Sequence, residues 1–189
     1  CYVYAEIPAT AGYEDKHTLG FIAHMDTSPD FCGEGVNPQI IENYNGEDLP
    51  LGSSGRVLSK ALFPHLPTLK GRTLITTDGN TLLGADDKAG VAEIMALAEL
   101  IITENFPHGK IVIGFTPDEE VGAGADHFDV EGFGADFAYT VDGGLEGSLE
   151  YENFNACAAR FVVHGVNVHP GSSKNVMKNS LLVAMEINS

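Results

Sequence analysis

Leu82-Leu83-Gly84-Ala85-Asp86-Asp87-Lys88-Ala89-Gly90 stands where an extended segment meets a long apolar periodicity, with glycines on both sides of two adjacent carboxylates. A helix start has a use for one aspartate, whose side-chain oxygen accepts an orphan backbone N–H. It has less use for two. Read alone, the stretch fits a capping aspartate beside a solvated neighbour equally well. The balance shifts because acidic and imidazole groups recur at matching places: His24-Met25-Asp26 before it, Glu119-Glu120 and Asp142 after it.

Working outward, each of these groups closes an apolar run. Leu19-Gly20-Phe21-Ile22-Ala23-His24 reads as a strand buried on both faces, and on a strand His24 and Asp26 point the same way. Lys110 to Phe115 is a second such run and Phe137 to Val141 a third. Tyr2 to Pro8 alternates apolar and polar residues like a strand, and Val91, Ile94, Met95, Ala98, Ile101 and Ile102 predict a helix from about Lys88 to Glu104. A short helix is expected near 122–128. Residues 33–70, rich in Gly, Pro and Asn, predict a long irregular excursion with short hairpins, and Thr73–Thr77 a strand after it. The recurrence of apolar strand, polar ligand-type residue and turn or helix is that of an α/β fold, whose ligands gather at the carboxyl ends of the strands. From Gly147 the pattern changes. Ser148–Phe154 and Ala156–His164 alternate as one-sided antiparallel strands do, and a helical stretch follows from about Lys174.

The chain has 189 residues, 27 acids against 10 bases and a formal charge of -17. Nucleic acid and anionic membrane would both be repelled by such a balance. No apolar run approaches the roughly 20 residues that span a bilayer. Three widely spaced cysteines, Cys1, Cys32 and Cys157, make no disulfide framework and suit a reducing cytoplasm. A start at Cys1 and an end inside a helical pattern predict a segment of a longer protein.

One imidazole and several carboxylates, without paired cysteines, suit zinc or a similar divalent ion. Two ions bridged by a carboxylate would hold a hydroxide and polarise a carbonyl, and a glutamate outside the ligand set could carry the proton. Adjacent Glu119 and Glu120 suit a division between base and ligand. Asp26 could instead orient His24 from behind.

His24-Met25-Asp26-Thr27-Ser28-Pro29-Asp30, Thr81 to Gly90, Phe115-Thr116-Pro117-Asp118-Glu119-Glu120-Val121-Gly122 and Tyr139-Thr140-Val141-Asp142-Gly143-Gly144 together resemble the M20 family of zinc metallopeptidases, in its tripeptide-cleaving aminopeptidase branch. Asn37-Pro38-Gln39-Ile40 and Val168-His169-Pro170-Gly171 also resemble it, so the likeness spans nearly the whole chain in order. The resemblance implies a zinc-exopeptidase-like α/β catalytic domain over 1–153, incomplete, with a mixed sheet flanked by helices. Residues 154–189 would be the truncated start of an α+β lid and dimerisation domain.

It further implies two zinc ions per subunit. His24 and Asp142 would hold the first, Glu120 the second, and Asp86 would bridge them, with a cis peptide between Asp86 and Asp87. Glu119 would be the general acid/base and Asp26 the support of His24. His169 would match a lid histidine that, in dimeric relatives, reaches the partner's site, although a His-Pro turn accounts for it equally. The implied substrate is a short peptide and the implied assembly a homodimer. The family's last zinc ligand is a histidine further downstream than Ser189, so the chain by itself is expected to hold the second zinc poorly and to be inactive. Other M20 hydrolases (dipeptidases, carboxypeptidases, N-acyl-amino-acid deacylases) would share every metal residue, and a non-catalytic metal-binding fragment is a third reading. A Mg/Mn phosphohydrolase would want bases for phosphate, and Lys88 is the one base among these motifs.

Overall fold

Four segments build the central sheet of this computed structural model, which describes residues 1–153 and 155–188. They are β1 (Val3–Ile7), β2 (Leu19–His24), β7 (Ile111–Thr116) and β8 (Phe137–Thr140), in spatial order β1-β7-β2-β8. β7 runs parallel to β2, with Leu19 opposite Ile111 and His24 opposite Thr116, and β8 runs parallel to β2 on its other side. β1 is antiparallel to β7. The sheet is therefore mixed, and the fold is the α/β class that the sequence pattern implies.

The chain divides into two compact units, Cys1–Ser148 and Leu149–Ser189. Within the first, α1 (Ala85–Glu104) covers one face of the sheet. Ile94 and Ile101 of α1 pack on Ala23, Ile111, Ile113 and Phe115, with Ile7, Phe21 and Val91 at the margin. Burying each such side chain contributes about 1.5–3 kcal/mol. The opposite face carries Tyr4, Phe128 and Phe133, whose rings meet edge-on or tilted. Gly20 and Gly114 make room for them: a Cβ on Gly20 would stand 2.8 Å from the Phe133 ring, and one on Gly114 3.0 Å from Phe128. The apolar runs at 19–24 and 111–116 are thus continuous because both of their faces are covered.

The excursion between β2 and α1 carries three small pieces. β3 (Gln39–Ile41) pairs antiparallel with β6 (Leu74–Thr76), β4 (Leu49–Pro50) pairs with β5 (Val57–Leu58), and a 3-10 turn spans Leu66–Leu69. The short helix expected near 122–128 does not form there. Asp118 and Gly122 are both left-handed and enclose a single 3-10 turn, Glu119–Val121. The helical turn comes later, as α2 (Val130–Phe133), where the Asp129 side chain accepts the N–H of Gly132.

The second unit departs further from its pattern. Among the described residues, 148–153 and 155–164 form no strand; residue 154, at the expected domain boundary, and residue 189 lie outside the described residues. Alternation marks which face of a strand would be wet, but a ladder also needs a partner backbone. The pairing present is an isolated bridge between Val166 and Lys178. α3 (Ser180–Ile187) begins later than the expected Lys174, where the Asn179 side chain accepts the N–H of Leu181. Among the described residues no helix is long and apolar enough to cross a membrane.

Candidate metal centre

The parallel strands deliver their carboxyl ends to one edge of the sheet, and the polar groups collect there. His24 closes β2 with its side chain 2% exposed. Its Nε2 lies 2.9 Å from Oδ1 of Asp86 and 3.8 Å from Oδ2 of Asp142. Asp142 reaches this point because the N–H of Val141, just past β8, donates to the carbonyl of Ile22 at 2.7 Å. Asp86 reaches it from the start of α1, where Asp86 and Asp87 keep non-helical dihedrals, so that regular helix begins at Lys88. The Asp86–Asp87 peptide bond is cis.

Glu119 and Glu120 arrive on the 3-10 turn after β7. Asp26 fixes that turn: its Oδ1 accepts the N–H of Glu119 at 3.1 Å and its Oδ2 that of Glu120 at 3.2 Å. The same Oδ1 lies 3.3 Å from Nδ1 of His24. Ligand-type atoms of His24, Asp86 and Glu120 all fall within 4.8 Å of one another, and so do those of His24, Asp87 and Asp142. Six of the seven sequence-derived site residues (His24, Asp26, Asp86, Glu119, Glu120 and Asp142) therefore converge on one place. The seventh, His169, belongs to the second unit. There it precedes the turn Pro170–Ser172, and its Nδ1 accepts the N–H of Gly171 at 3.1 Å.

Asp87 is the residue that sequence reasoning left without a role. It is 3% exposed, against 71% for the Asp86 side chain. Its Oδ2 accepts the backbone N–H of His24 at 3.2 Å and its Oδ1 that of Gly90 at 3.1 Å. The helix-capping aspartate is thus the second of the pair, and the one that faces the histidine is the first. The signal for this was present in the three-residue step from Asp87 to Gly90, which is the spacing of an N-terminal cap.

The electrostatics are those of carboxylates crowded together. Burial raises Asp142, and the neighbouring charge of Asp86 raises it further. Burial also raises Asp87 above the ordinary carboxylate value, overcoming the N–H groups it accepts. For His24 burial works downward, yet the hydrogen bond to Asp86 and the charges of Asp142, Asp26 and Asp86 leave the imidazole above its usual value. Burial works upward on Asp26, but the N–H groups of Glu119 and Glu120 hold its carboxyl below the usual range. The nearest base does not relieve the crowding, since Lys88 Nζ donates to Thr27 Oγ1 and, at 3.4 Å, to the carbonyl of Asp26. Like charges near 4 Å cost about 1–4 kcal/mol per pair, a penalty that a divalent cation removes.

The donor set fits such an ion on a second observation. Among the described residues Nδ1 of His24 is buried without a well-formed hydrogen bond, although the Asp26 carboxylate stands beside it at 3.3 Å. An ion taken by Nε2 places the ring proton on Nδ1, beside the Asp26 carboxylate, in the arrangement common behind metal-bound histidines.

The chain is 61% identical over 186 residues to the peptidase T of Clostridium perfringens, covering 98% of this chain and 45% of that protein. Along nearly its whole length, the chain is homologous to peptidase T. The relative from Halothermothrix orenii is 61% identical over 188 residues, and that from Alkaliphilus oremlandii 56% over 191. The chain spans a little under half the length of these peptidase T relatives. Among solved structures, an aminopeptidase PepT from Bacillus cereus matches 97% of the chain with a TM-score of 0.58 at 24% identity, so it supports the fold. A tripeptidase from Staphylococcus aureus matches 76% of the chain with a TM-score of 0.53 at 26% identity. No protein-family model matches the chain.

Proposed function

We propose that the chain carries most of the metal-binding half of a tripeptide aminopeptidase, and that the full-length protein releases the N-terminal residue from free tripeptides. The observation that supports this best is the convergence of His24, Asp86, Glu120 and Asp142 at the carboxyl edge of a parallel sheet, in a chain homologous to peptidase T. In this reading His24, Asp86 and Asp142 would hold one zinc ion, and Asp86 and Glu120 would contribute to a second. When bound, such ions supply Lewis acidity toward a peptide carbonyl and toward the water that attacks it.

The residues themselves do the rest. Glu119 is exposed at the edge of the set, free of the pairing that engages His24, and its position suits it to accept the proton of the attacking water and return it to the leaving amine. Asp26 keeps Glu119 and Glu120 on one turn and stands behind His24. Asp86, largely exposed, sets Oδ1 against the His24 ring. Residues 154–189 then begin a lid and dimerisation domain in which His169 would serve a partner's site, and the protein works in the cytoplasm as a homodimer on short peptides.

The test is an assay of the full-length protein with added zinc against a free tripeptide, the matching dipeptide and the N-acetylated tripeptide, with metal analysis alongside. Cleavage confined to the free tripeptide, at two zinc ions per subunit, is expected. Preference for the dipeptide or the blocked peptide would move the function to another M20 activity while leaving the metal site in place.

A further inference from the structure

Asp87 is a carboxylate almost wholly withdrawn from solvent, yet it sits against the crowded set and forms no salt bridge among the described residues. Both of its oxygens are committed to backbone N–H groups, one on β2 and one on α1. Those two N–H groups belong to the segments that supply His24 and Asp86. The third boundary of this place is Val141, whose carbonyl would stand 1.9 Å from a Cβ on Gly90. Asp87 therefore ties the end of β2 to the first turn of α1, and Gly90 of that turn lies against the strand end that brings Asp142.

We infer that Asp87 is a positioning residue for the metal centre: it ties the His24 backbone to the first turn of α1 and so sets the imidazole against Asp86 and Asp142, without itself being an ion ligand. The inference rests on the proposed metal-dependent function. Its geometry separates the two adjacent aspartates by task. Asp86 turns Oδ1 to the His24 ring, whereas Asp87 spends both of its oxygens on the backbone. A carboxylate can accept at about four lone-pair positions, so ligation by Asp87 is chemically open and the experiment must distinguish it.

Asp87→Asn is nearly isosteric but can accept with only one oxygen, and its amide group then faces a backbone N–H. Asp87→Ser keeps a good helix cap for Gly90 and loses the reach to His24. Both are made in the full-length protein, and zinc occupancy is read by native mass spectrometry on the folded species, with the dissociation constant taken from chelator competition. Wild-type protein that binds no zinc would remove the functional reading itself, independently of Asp87. If the wild type takes two ions, both variants are expected to keep two at saturating zinc with affinity lowered about 10–100-fold, the usual cost of losing a residue that orients a ligand. The tripeptide KM at saturating zinc is expected to stay near the wild-type value. Unchanged affinity, even with a lowered melting temperature, would reduce Asp87 to a helix cap and overturn the proposal. Occupancy stuck at one ion would overturn it in the other direction, because Asp87 would then be a ligand.

Discussion

Residues 1–148 and residues 149–188 both carry many apolar side chains, yet they use them differently. In the first unit Ala23, Ile94, Ile111, Ile113 and Phe115 are buried together between α1 and the sheet. In the second, no described residue is buried, and Leu181, Leu182 and Met185 of α3 all stand more than half exposed. The difference lies in self-sufficiency. A continuous apolar run gains from burial on two faces, and in the first unit the chain itself supplies both covers. An alternating run needs a neighbouring strand before its apolar face has anywhere to go.

This contrast can be broken at several depths. The largest effect is expected at the site that the first unit builds. Glu119→Gln in the full-length protein should lower kcat by about 10²–10⁴-fold while zinc occupancy stays unchanged, as removal of a proton carrier does. A variant that keeps a near-normal rate would take the proton-transfer role away from Glu119. Next comes the core beneath the site. Ile94, 2% exposed, should lose about 2–5 kcal/mol on substitution by alanine, read by denaturant unfolding of the 189-residue chain. A loss below 1 kcal/mol would show that α1 is not anchored as described.

Gly90→Ala should cost about 1–3 kcal/mol, because the added methyl meets the Val141 carbonyl and one of the two backbones must move. The same movement should weaken zinc binding in the full-length protein, which chelator competition can measure. At the low end, Leu181→Ala in the 189-residue chain should change stability by no more than about 0.5 kcal/mol, since the side chain is 72% exposed there. A loss as large as that of Ile94→Ala would erase the distinction between the two units.

What could be read from sequence follows the same division. The span Leu19–His24 is observed as expected, and Ile111–Thr116 and Phe137–Thr140 lie within a residue of their apolar runs. Their signal is local, since burial on both faces writes itself into consecutive residues. The gathering of His24, Glu120 and Asp142 was legible because each closes or follows such a run and the sheet rule then places them at one edge, while Asp86 was legible at the start of the next helix. The division of labour between Asp86 and Asp87 was legible by half: the step from Asp87 to Gly90 has the spacing of a cap, but the bond from the His24 N–H to Asp87 joins two distant segments, which no local pattern records. The strands expected over 148–164 are absent among the described residues there for a related reason, because alternation is visible in one segment whereas a ladder belongs to two. His169 read as a lid histidine by resemblance and as a turn residue by its His-Pro step, and the bond from Gly171 N–H to its Nδ1 fits the turn.

The parallel pairing of β2 with β7, which sets Leu19 beside Ile111, also has a temporal meaning. The two strands are separated by the whole excursion and by α1, so their pairing closes a long loop, a slow step in folding. Synthesis proceeds from the amino end, and Asp142 is the last of the converging groups to be made. A nascent chain that has emerged only as far as Glu120 holds His24, Asp86 and Glu120 without the strand that brings Asp142 beside Ile22. Within the first unit, the full gathering of carboxylates around His24 thus waits on the docking of β8.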